Sequence, residues 1–358
     1  MYRNTKNVPY YVFGRGSLAQ LGDLLKPRRE AVDGPVVYFV DHFFRDHELI
    51  GRLPMEKGDQ LYFVDSSSEP EVTRIDAFKE AVSAADSRTP CCVVGIGGGN
   101  ALDTAKAVAN LLTNPGKAED YQGWELVKNP AVYKIGIPTL SGTGSECSRT
   151  CVLTNIPKNL KLGMNSDYTV YDQLLLDPDL LATVPRDQYF YTGIDTFMHC
   201  VESLQGSYRN AIIDAFSVRA VQLCEEIFLS DDMMSEENRE KMMIASYIGG
   251  MAAGNVGVIH PFSAGLGVVL HVAHGLGNCL ALNVLGDIYP KEYKQFRTMI
   301  ERQGVNLPTG ICKDLTEEQY EGLYRGCIVH EKPLTNALGP DFKQILTREN
   351  LIERYKSI

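Results

Sequence analysis

The chain has 358 residues, of which 44% are hydrophobic and 22% are charged, and its net charge is -10. This length favours two hydrophobic cores over one, and no apolar run is long enough to predict a membrane span. The acidic balance, without a block of Lys and Arg, argues against a nucleic-acid partner. Nine cysteines without the spacing of a disulfide framework, and a first segment without features of a secretory signal, favour the cytoplasm.

Short β-branched runs alternate with amphipathic segments in the first half of the chain. The predicted strands are 36–40, 61–64, 91–96 and 133–138, and the predicted helices among them are 70–85 and 101–112. This alternation predicts a parallel sheet that is covered by helices on both faces. Ligands are then expected at the carboxyl ends of the strands.

Strand signals fade after about Asp179. Segments 188–204, 211–228 and 236–253 carry helical periodicity, and Pro178 and Pro185 interrupt the chain just before them. The sequence therefore predicts an α/β domain over residues 1–180 and an all-α domain over residues 181–358.

A glycine-rich turn follows the third predicted strand. Gly98 and Gly99 would let the backbone approach a pyrophosphate, and the next helix would offer its N-terminal N–H groups. The pattern departs from the full G-x-G-x-x-G fingerprint, so an ordinary tight turn is an alternative. Asp41, which ends strand 36–40, could accept hydrogen bonds from an adenosine ribose and would favour NAD over NADP.

A second loop, PTLSGTGSE at 138–146, follows strand 133–138. It carries Thr139, Ser141, Thr143 and Ser145, whose hydroxyls can hydrogen-bond a polar ligand. An ordinary surface loop is the alternative. A ligand is favoured because both loops leave parallel strands at the same edge of the predicted sheet.

Four residues form a candidate metal site. Asp195 and His199 lie one helical turn apart on one face of the predicted helix 188–204. His260 and His274 would be about 21 Å apart in one straight helix, so a bend between them is needed. Gly265 and Gly267 are its predicted position. One aspartate and three histidines would suit Fe²⁺ or Zn²⁺, whereas Asp195 and His199 alone could be a simple surface pair.

Taken together, these motifs resemble the iron-containing (group III) alcohol dehydrogenase family, with GRGS at 14–17, GGGN..D..K at 97–106, PTLSGTGSE, DP at 177–178 and TGIDTFMHCVE at 192–202. The resemblance implies a dinucleotide-binding α/β domain and a helical metal-binding domain, with metal and nicotinamide meeting in the cleft. It also implies a homodimer. The implied metal ligands are Asp195, His199, His260 and His274, and the implied NAD contacts are Asp41, Gly98, Gly99, Asn100, Asp103, Thr139, Ser141, Ser145 and Lys161.

The chain departs from the family pattern at Ala264, where many members carry a further histidine. His271 is a candidate replacement in a proton relay, because it precedes His274 by three residues and could share its helix face; a structural histidine is the alternative. Within the family the chain is most similar to the 3-deoxy-D-manno-octulosonate 8-oxidase branch, which implies oxidation of the C8 hydroxyl of an anionic sugar acid in lipopolysaccharide biosynthesis. Arg149 is a candidate partner for its carboxylate.

The expected reaction is metal-assisted oxidation of a primary alcohol, with the ion as Lewis acid and hydride transfer to NAD. Two alternatives differ in their products. A dehydroquinate-synthase-like lyase would use NAD and a divalent ion but return the cofactor unchanged. A non-catalytic NAD-binding protein would show no metal-dependent hydride transfer.

Overall fold

The computed structural model describes residues 6–158 and 160–358. These residues form two compact units. The first contains the described residues up to Leu140 together with Ser145–Lys158 and Leu162–Thr183, and the second contains Ser141–Gly144, residues 160–161 and Val184–Ile358. Two short segments from the first half of the chain thus belong to the second unit.

The first unit is built on a parallel sheet. Its strands, in chain order, are β1 (Tyr10–Phe13), β2 (Val36–Asp41), β3 (Gln60–Val64), β4 (Cys92–Gly97), β6 (Lys134–Pro138) and β9 (Gln173–Leu176). The six strands are ordered β1-β9-β6-β4-β2-β3, and every pair of neighbours is parallel. A smaller sheet has the order β5-β8-β7, from β5 (Gly123–Trp124), β7 (Thr150–Asn155) and β8 (Leu160–Asn165). The prediction of a parallel α/β sheet is confirmed.

Both faces of the large sheet are covered, and the alternation along β2 shows how. Val36 and Tyr38 pack with α1 (Leu21–Ala31) in one hydrophobic cluster. Val37 and Phe39 pack with α2 (Val72–Ala85) and α3 (Gly99–Leu111) in another. Successive side chains of a strand point to opposite faces, so a continuous apolar run such as β2 indicates a strand that is buried on both sides.

The second unit is mostly helical among its described residues, as predicted. Its helices are α4 (Arg186–Gln205), α5 (Ala211–Phe228), α6 (Glu236–Gly249), α7 (Ile259–Leu270), α8 (His274–Val284), α9 (Pro290–Gln303), α10 (Glu317–Ile328), α11 (Glu331–Leu338), α12 (Phe342–Ile345) and α13 (Arg348–Lys356). In the described part of the chain, no single helix could span a membrane by length and composition. The pair Glu236–Asn255 and Ile259–Leu270 passes that test together but bends by 91°.

The bend between His260 and His274 does not lie at the predicted glycines. The chain leaves α7 at His271, whose φ of 55° is left-handed, and re-enters a helix at His274. Gly265 lies inside α7, and the backbone of α10 packs directly against it. A Cβ at Gly265 would lie 2.7 Å from the Leu323 carbonyl oxygen, and a Cβ at Gly326 would lie 2.9 Å from the Gly265 Cα. Close approach of two helices therefore explains this glycine, and Gly267 also lies inside α7.

Candidate metal centre and nucleotide loop

The four predicted metal ligands come together in the second unit. Asp195 and His199 lie one turn apart on α4, His260 is in the first turn of α7, and His274 begins α8. One ligand atom from each lies within 4.8 Å of the others. The Nε2 atoms of His260, His274 and His199 lie 3.1, 3.5 and 3.8 Å from Asp195 carboxylate oxygens.

This arrangement fits a divalent cation. Asp195 is fully buried, and its Oδ2 atom has no hydrogen-bond partner among the residues that the structure describes. The rings of His199 and His260 are stacked with centroids 4.5 Å apart, and their Nε2 atoms lie 3.8 and 3.1 Å from Asp195 Oδ1. Three imidazole nitrogens around one carboxylate form a donor set that suits Fe²⁺ or Zn²⁺.

The electrostatics of these groups favour cation binding. Burial lowers the pKa of His199 to about 3, so its imidazole is neutral at physiological pH. Burial alone would raise the pKa of Asp195, but the neighbouring His199, His274 and His260 hold it well below its usual range. Burial also acts to lower the pKa of His260, yet hydrogen bonds to Asp195 and Glu202 raise it to about 9. A bound dication would take the place of that proton, as ligand deprotonation requires.

Glu202 orients His260 from behind. Its buried carboxylate lies 2.5 Å from His260 Nδ1, and it accepts hydrogen bonds from the Ile259 N–H at 2.6 Å and the Tyr289 hydroxyl at 3.0 Å. A carboxylate at Nδ1 keeps the proton there and leaves Nε2 to face the ion. Glu202 was not predicted as a site residue, although its spacing of seven residues from Asp195 places it on the same face of α4.

Asn278 supports the other side of the centre. Its Nδ2 donates to Asp195 Oδ1 at 2.7 Å and lies 3.2 Å from His274 Nε2. Because Asn278 follows His274 by one turn of α8, the same helix carries a ligand and the residue that positions it. This residue was also missed, and only its spacing from His274 could have indicated it.

His271 does not share a helix with His274. It is exposed and caps the C-terminal end of α7 in a left-handed conformation, before the helix that carries His274 begins. The prediction of a common helix face for these two residues is therefore wrong. The reason is the break at residues 271–273, which helical spacing could not reveal. A relay role for His271 stays a prediction.

The glycine-rich turn lies in the first unit as predicted. β4 ends at Gly97 and α3 begins at Gly99, with Gly98 as an N-cap that provides no side-chain cap. A Cβ at Gly97, whose φ is 151°, would lie 2.9 Å from the Cβ of Asp41. Asp41 thus lies beside the turn, where its Oδ1 accepts from the Phe43 N–H and the Ser66 hydroxyl, each at 2.9 Å.

Several predicted NAD contacts brace the loops of the first unit. Asn100 donates to the carbonyl oxygens of Ser66 and Ser68 at 3.3 and 2.9 Å. The buried Asp103 accepts hydrogen bonds from the Ser145 hydroxyl and, at 2.9 Å, from the Val152 N–H. These bonds hold the loop that follows β6 against the first turns of α3.

Lys106 completes this bracing from the next turn of α3. It is fully buried, lies 3.5 Å from an Asp103 oxygen, and donates to the carbonyl oxygens of Ser145, at 2.8 Å, and Thr150. Such a buried ion pair fixes the position of the loop. The backbone N–H of Thr139 donates to the Gly97 carbonyl at 3.0 Å and so ties the two predicted loops to each other.

Ser141 and Lys161 belong to the second unit. Both are buried, and Ser141 Oγ has no hydrogen-bond partner in the described part of the chain. The Lys161 amine lies 3.9 Å from where a Cβ on Gly267 would be, over one face of α7. Arg149, in the first unit, is paired with Asp167 at 2.6 Å and Glu125 at 2.5 Å. Two carboxylates already neutralise it, which argues against its predicted role with a substrate carboxylate.

Comparisons with known proteins agree with this architecture. Residues 9–178 match the family description "Iron-containing alcohol dehydrogenase", and residues 189–322 match "Fe-containing alcohol dehydrogenase family, C-terminal". Sulfoacetaldehyde reductase of Bilophila wadsworthia is 34% identical over 220 residues, which are 60% of this chain and 56% of that protein. NAD-dependent methanol dehydrogenase of Bacillus methanolicus is 29% identical over 278 residues, which are 75% and 71% of the two chains.

Solved structures share the fold over nearly the whole length. Sulfoacetaldehyde reductase from Bifidobacterium kashiwanohense in complex with NAD⁺ aligns with a TM-score of 0.80 at 24% identity and covers 99% of this chain and 98% of its own. Alcohol dehydrogenase from Oenococcus oeni aligns with a TM-score of 0.84 at 21% identity, covering 99% of each chain. The resemblance found in the sequence is confirmed, with its expectation of a metal-dependent alcohol dehydrogenase that uses NAD. Since the two family descriptions together match most of its length, the chain belongs to the iron-containing alcohol dehydrogenase family.

Proposed function

We propose that this protein interconverts a short primary alcohol and its aldehyde, with hydride transfer between the carbinol carbon and nicotinamide. The observation that carries the proposal is the convergence of the Nε2 atoms of His199, His260 and His274 on the buried Asp195, all within 4.8 Å. These four residues would hold Fe²⁺ or Zn²⁺. The ion, when bound, supplies Lewis-acid chemistry that lowers the pKa of a substrate hydroxyl.

Residues of both units would bind the ion, orient its ligands and bind the nucleotide. Asp195 provides negative charge in a dry environment, where its attraction for a cation is strong. Glu202 and Asn278 hold the ligand rings in one orientation, so little rearrangement is needed when a substrate arrives. In the first unit, Gly98 and Gly99 offer the start of α3 to a pyrophosphate, and Asp41 is beside them for a ribose.

The remaining predicted NAD contacts divide into two groups by their surroundings. Asn100, Asp103 and Ser145 act mainly by positioning, because their side chains bond to neighbouring loops. Thr139, Ser141 and Lys161 remain proposed direct contacts.

The substrate is proposed from the relatives, and an assay with a panel of alcohols would identify it. Proteins similar to this chain are named for sulfoacetaldehyde, methanol and 1,3-propanediol. The C8 hydroxyl of 3-deoxy-D-manno-octulosonate remains a candidate from the sequence resemblance. The panel therefore contains methanol, 1-propanol, 1,3-propanediol, 2-hydroxyethanesulfonate and that sugar acid.

The expected homodimer also remains a proposal. The strand β1 forms one edge of the large sheet and pairs with β9. On this edge Tyr10 and Tyr11 expose 67% and 57% of their surface. An edge strand with exposed aromatic side chains is a suitable surface for association with a second copy, and sedimentation of the purified protein would test it.

The deciding experiment combines metal analysis with NADH absorbance across the panel. We expect about one ion per chain, NADH formation only with metal, and loss of both metal and turnover in Asp195→Ala with NAD binding kept. Asp214→Ala is the matched control: it removes a carboxylate on α5 that pairs with Arg209, and the variant should still bind the metal. Full activity of metal-free Asp195→Ala would refute the ligand assignment. Substrate loss without NADH would indicate a lyase.

A further inference from the structure

His330 lies close to the metal centre and outside the ligand set. It occupies the turn between α10 and α11 and is half-buried. Its Nε2 atom is enclosed and has no hydrogen-bond partner among residues 6–158 and 160–358. Buried polar atoms in folded proteins nearly always have partners, so an enclosed nitrogen without one is a place where a bound molecule can complete the bonding.

The packing of α10 on α7 brings His330 to this position. The backbones of α7 and α10 are in contact at Gly265 and Gly326, and a Cβ at Gly322 would lie 3.0 Å from the side chain of Val269. The two helices therefore run antiparallel, and His330, four residues beyond Gly326, lies toward the end of α7 that carries the proposed ligand His260.

The face of α7 beside them carries little side-chain volume. Ala264 and Gly267 follow His260 by four and seven residues, which places all three on one helix face. The amine of Lys161 lies over Gly267. At the position where many family members carry a further histidine, Ala264 therefore places only a methyl group on this face, between His260 and the Lys161 amine.

The protonation state of His330 decides which chemistry it can perform. Burial and the positive charges of Lys161 and His260 lower its pKa to about 4, so the imidazole is neutral at physiological pH. A group with so low a pKa is a poor proton carrier near neutral pH, which argues against a relay. A neutral imidazole still donates a hydrogen bond from one nitrogen, and a hydrogen bond to an anionic oxygen is stronger than one between neutral groups.

We propose that His330 is a specificity-determining residue that donates a hydrogen bond to an anionic group carried by the substrate beside its metal-bound hydroxyl. The substrate class is then a short alcohol or aldehyde with a sulfonate or carboxylate head group. This inference rests on the proposed function, because it assumes that the substrate hydroxyl binds at Asp195, His199, His260 and His274.

The test measures binding without turnover. Calorimetry on the zinc-loaded protein, in the absence of nucleotide, compares 2-hydroxyethanesulfonate with the uncharged 1-propanol. We expect the wild type to bind the sulfonate at least about tenfold more tightly, which is typical of hydrogen bonds to a charged group. His330→Leu, which keeps volume but cannot donate, should lose about tenfold for the sulfonate and less than about threefold for 1-propanol. His330→Gln restores a donor and should recover part of the preference.

Val329→Ala is the matched control, since Val329 adjoins His330 and exposes 48% of its surface. It should leave both affinities unchanged. Equal affinities in the wild type, or a preference that survives in His330→Leu, would overturn the inference. If the sulfonate preference is found and depends on His330 but no alcohol yields NADH, the proposed function fails while the inference stands. NADH formation without any preference for the sulfonate would support the proposed function and overturn the inference.

Discussion

Replacing Glu202 by Gln changes a charge and a hydrogen-bond acceptor at constant volume, directly behind a metal ligand. The glutamine oxygen can keep the bonds from the Ile259 N–H and the Tyr289 hydroxyl, which now share Oε1. Its NH₂ group then faces His260 Nδ1, so the ring must place its proton on Nε2. That atom is the one that lies 3.1 Å from Asp195 Oδ1 and would bind the ion.

If Nε2 of His260 binds the ion, the proton of the neutral ring must move to Nδ1. There it would face the new amide NH₂ group, and two hydrogen-bond donors would oppose each other. Losing a hydrogen bond to a charged partner costs about 1.5–3 kcal/mol, and removing the group that orients a ligating histidine weakens metal affinity about 10–100-fold. We expect the dissociation constant of Glu202→Gln for Zn²⁺ to rise by about that factor.

Chelator competition on the metal-free protein measures this constant, and thermal unfolding without metal reports whether the variant is folded. Glu225→Gln is a matched control, because Glu225 accepts a bond from Gln295 at 2.5 Å and does not contact the centre. A constant for Glu202→Gln within threefold of the wild type would mean that Glu202 does not select the tautomer of His260, and the reasoning would be refuted.

Three further predictions concern the stability of the fold. Gly265→Ala should destabilise the protein by about 2 kcal/mol or more in urea unfolding, because the new Cβ meets the α10 backbone, whereas Gly254→Ala, with open space around it, should change little. Lys106→Met should cost about 3–5 kcal/mol, since it leaves a buried carboxylate unpaired; unfolding at neutral pH that matches the wild type would contradict this. Burial raises the pKa of Asp59, but hydrogen bonds, first among them those from Arg29, lower it overall. The stability that Asp59 adds is then present above its unfolded pKa of about 4 and lost as pH falls through the lower folded value, so wild type and Asp59→Asn should differ in urea unfolding at pH 7, and the difference should shrink as the pH falls below about 4.

The architecture of the first unit was predictable because its strands are buried on both faces. The run 36–40, which forms most of β2, is hydrophobic at every position and is bounded by turns, which leaves few alternatives to a central parallel strand. The strands β1, β5, β7, β8 and β9 were not predicted; β7 and β8, for example, are half-buried and mix polar with apolar residues. The helix α5 has the predicted bounds, because a local cap at Asn210 sets its start.

The metal site was predicted in part from local spacing and in part from the resemblance. Asp195 and His199 are one turn apart on a single helix, and such a relation is readable from sequence. The bend that brings His274 to them could not be located from the sequence, because the sequence alone does not distinguish a glycine inside a helix from a glycine at a helix break. Gly265 lies inside a helix, where it allows α10 to pack closely against α7. His330 could not be found at all without the fold.

The four proposed metal ligands come from three helices, α4, α7 and α8. An ion bound there is also a crosslink between distant parts of the chain. A free concentration of one hundred times the dissociation constant would add about 2.7 kcal/mol to the stability of the folded state. Metal-starved protein would unfold locally more often, and proteases act on such opened states. Scarcity of the ion is therefore expected to shorten the lifetime of the chain as well as to stop its turnover.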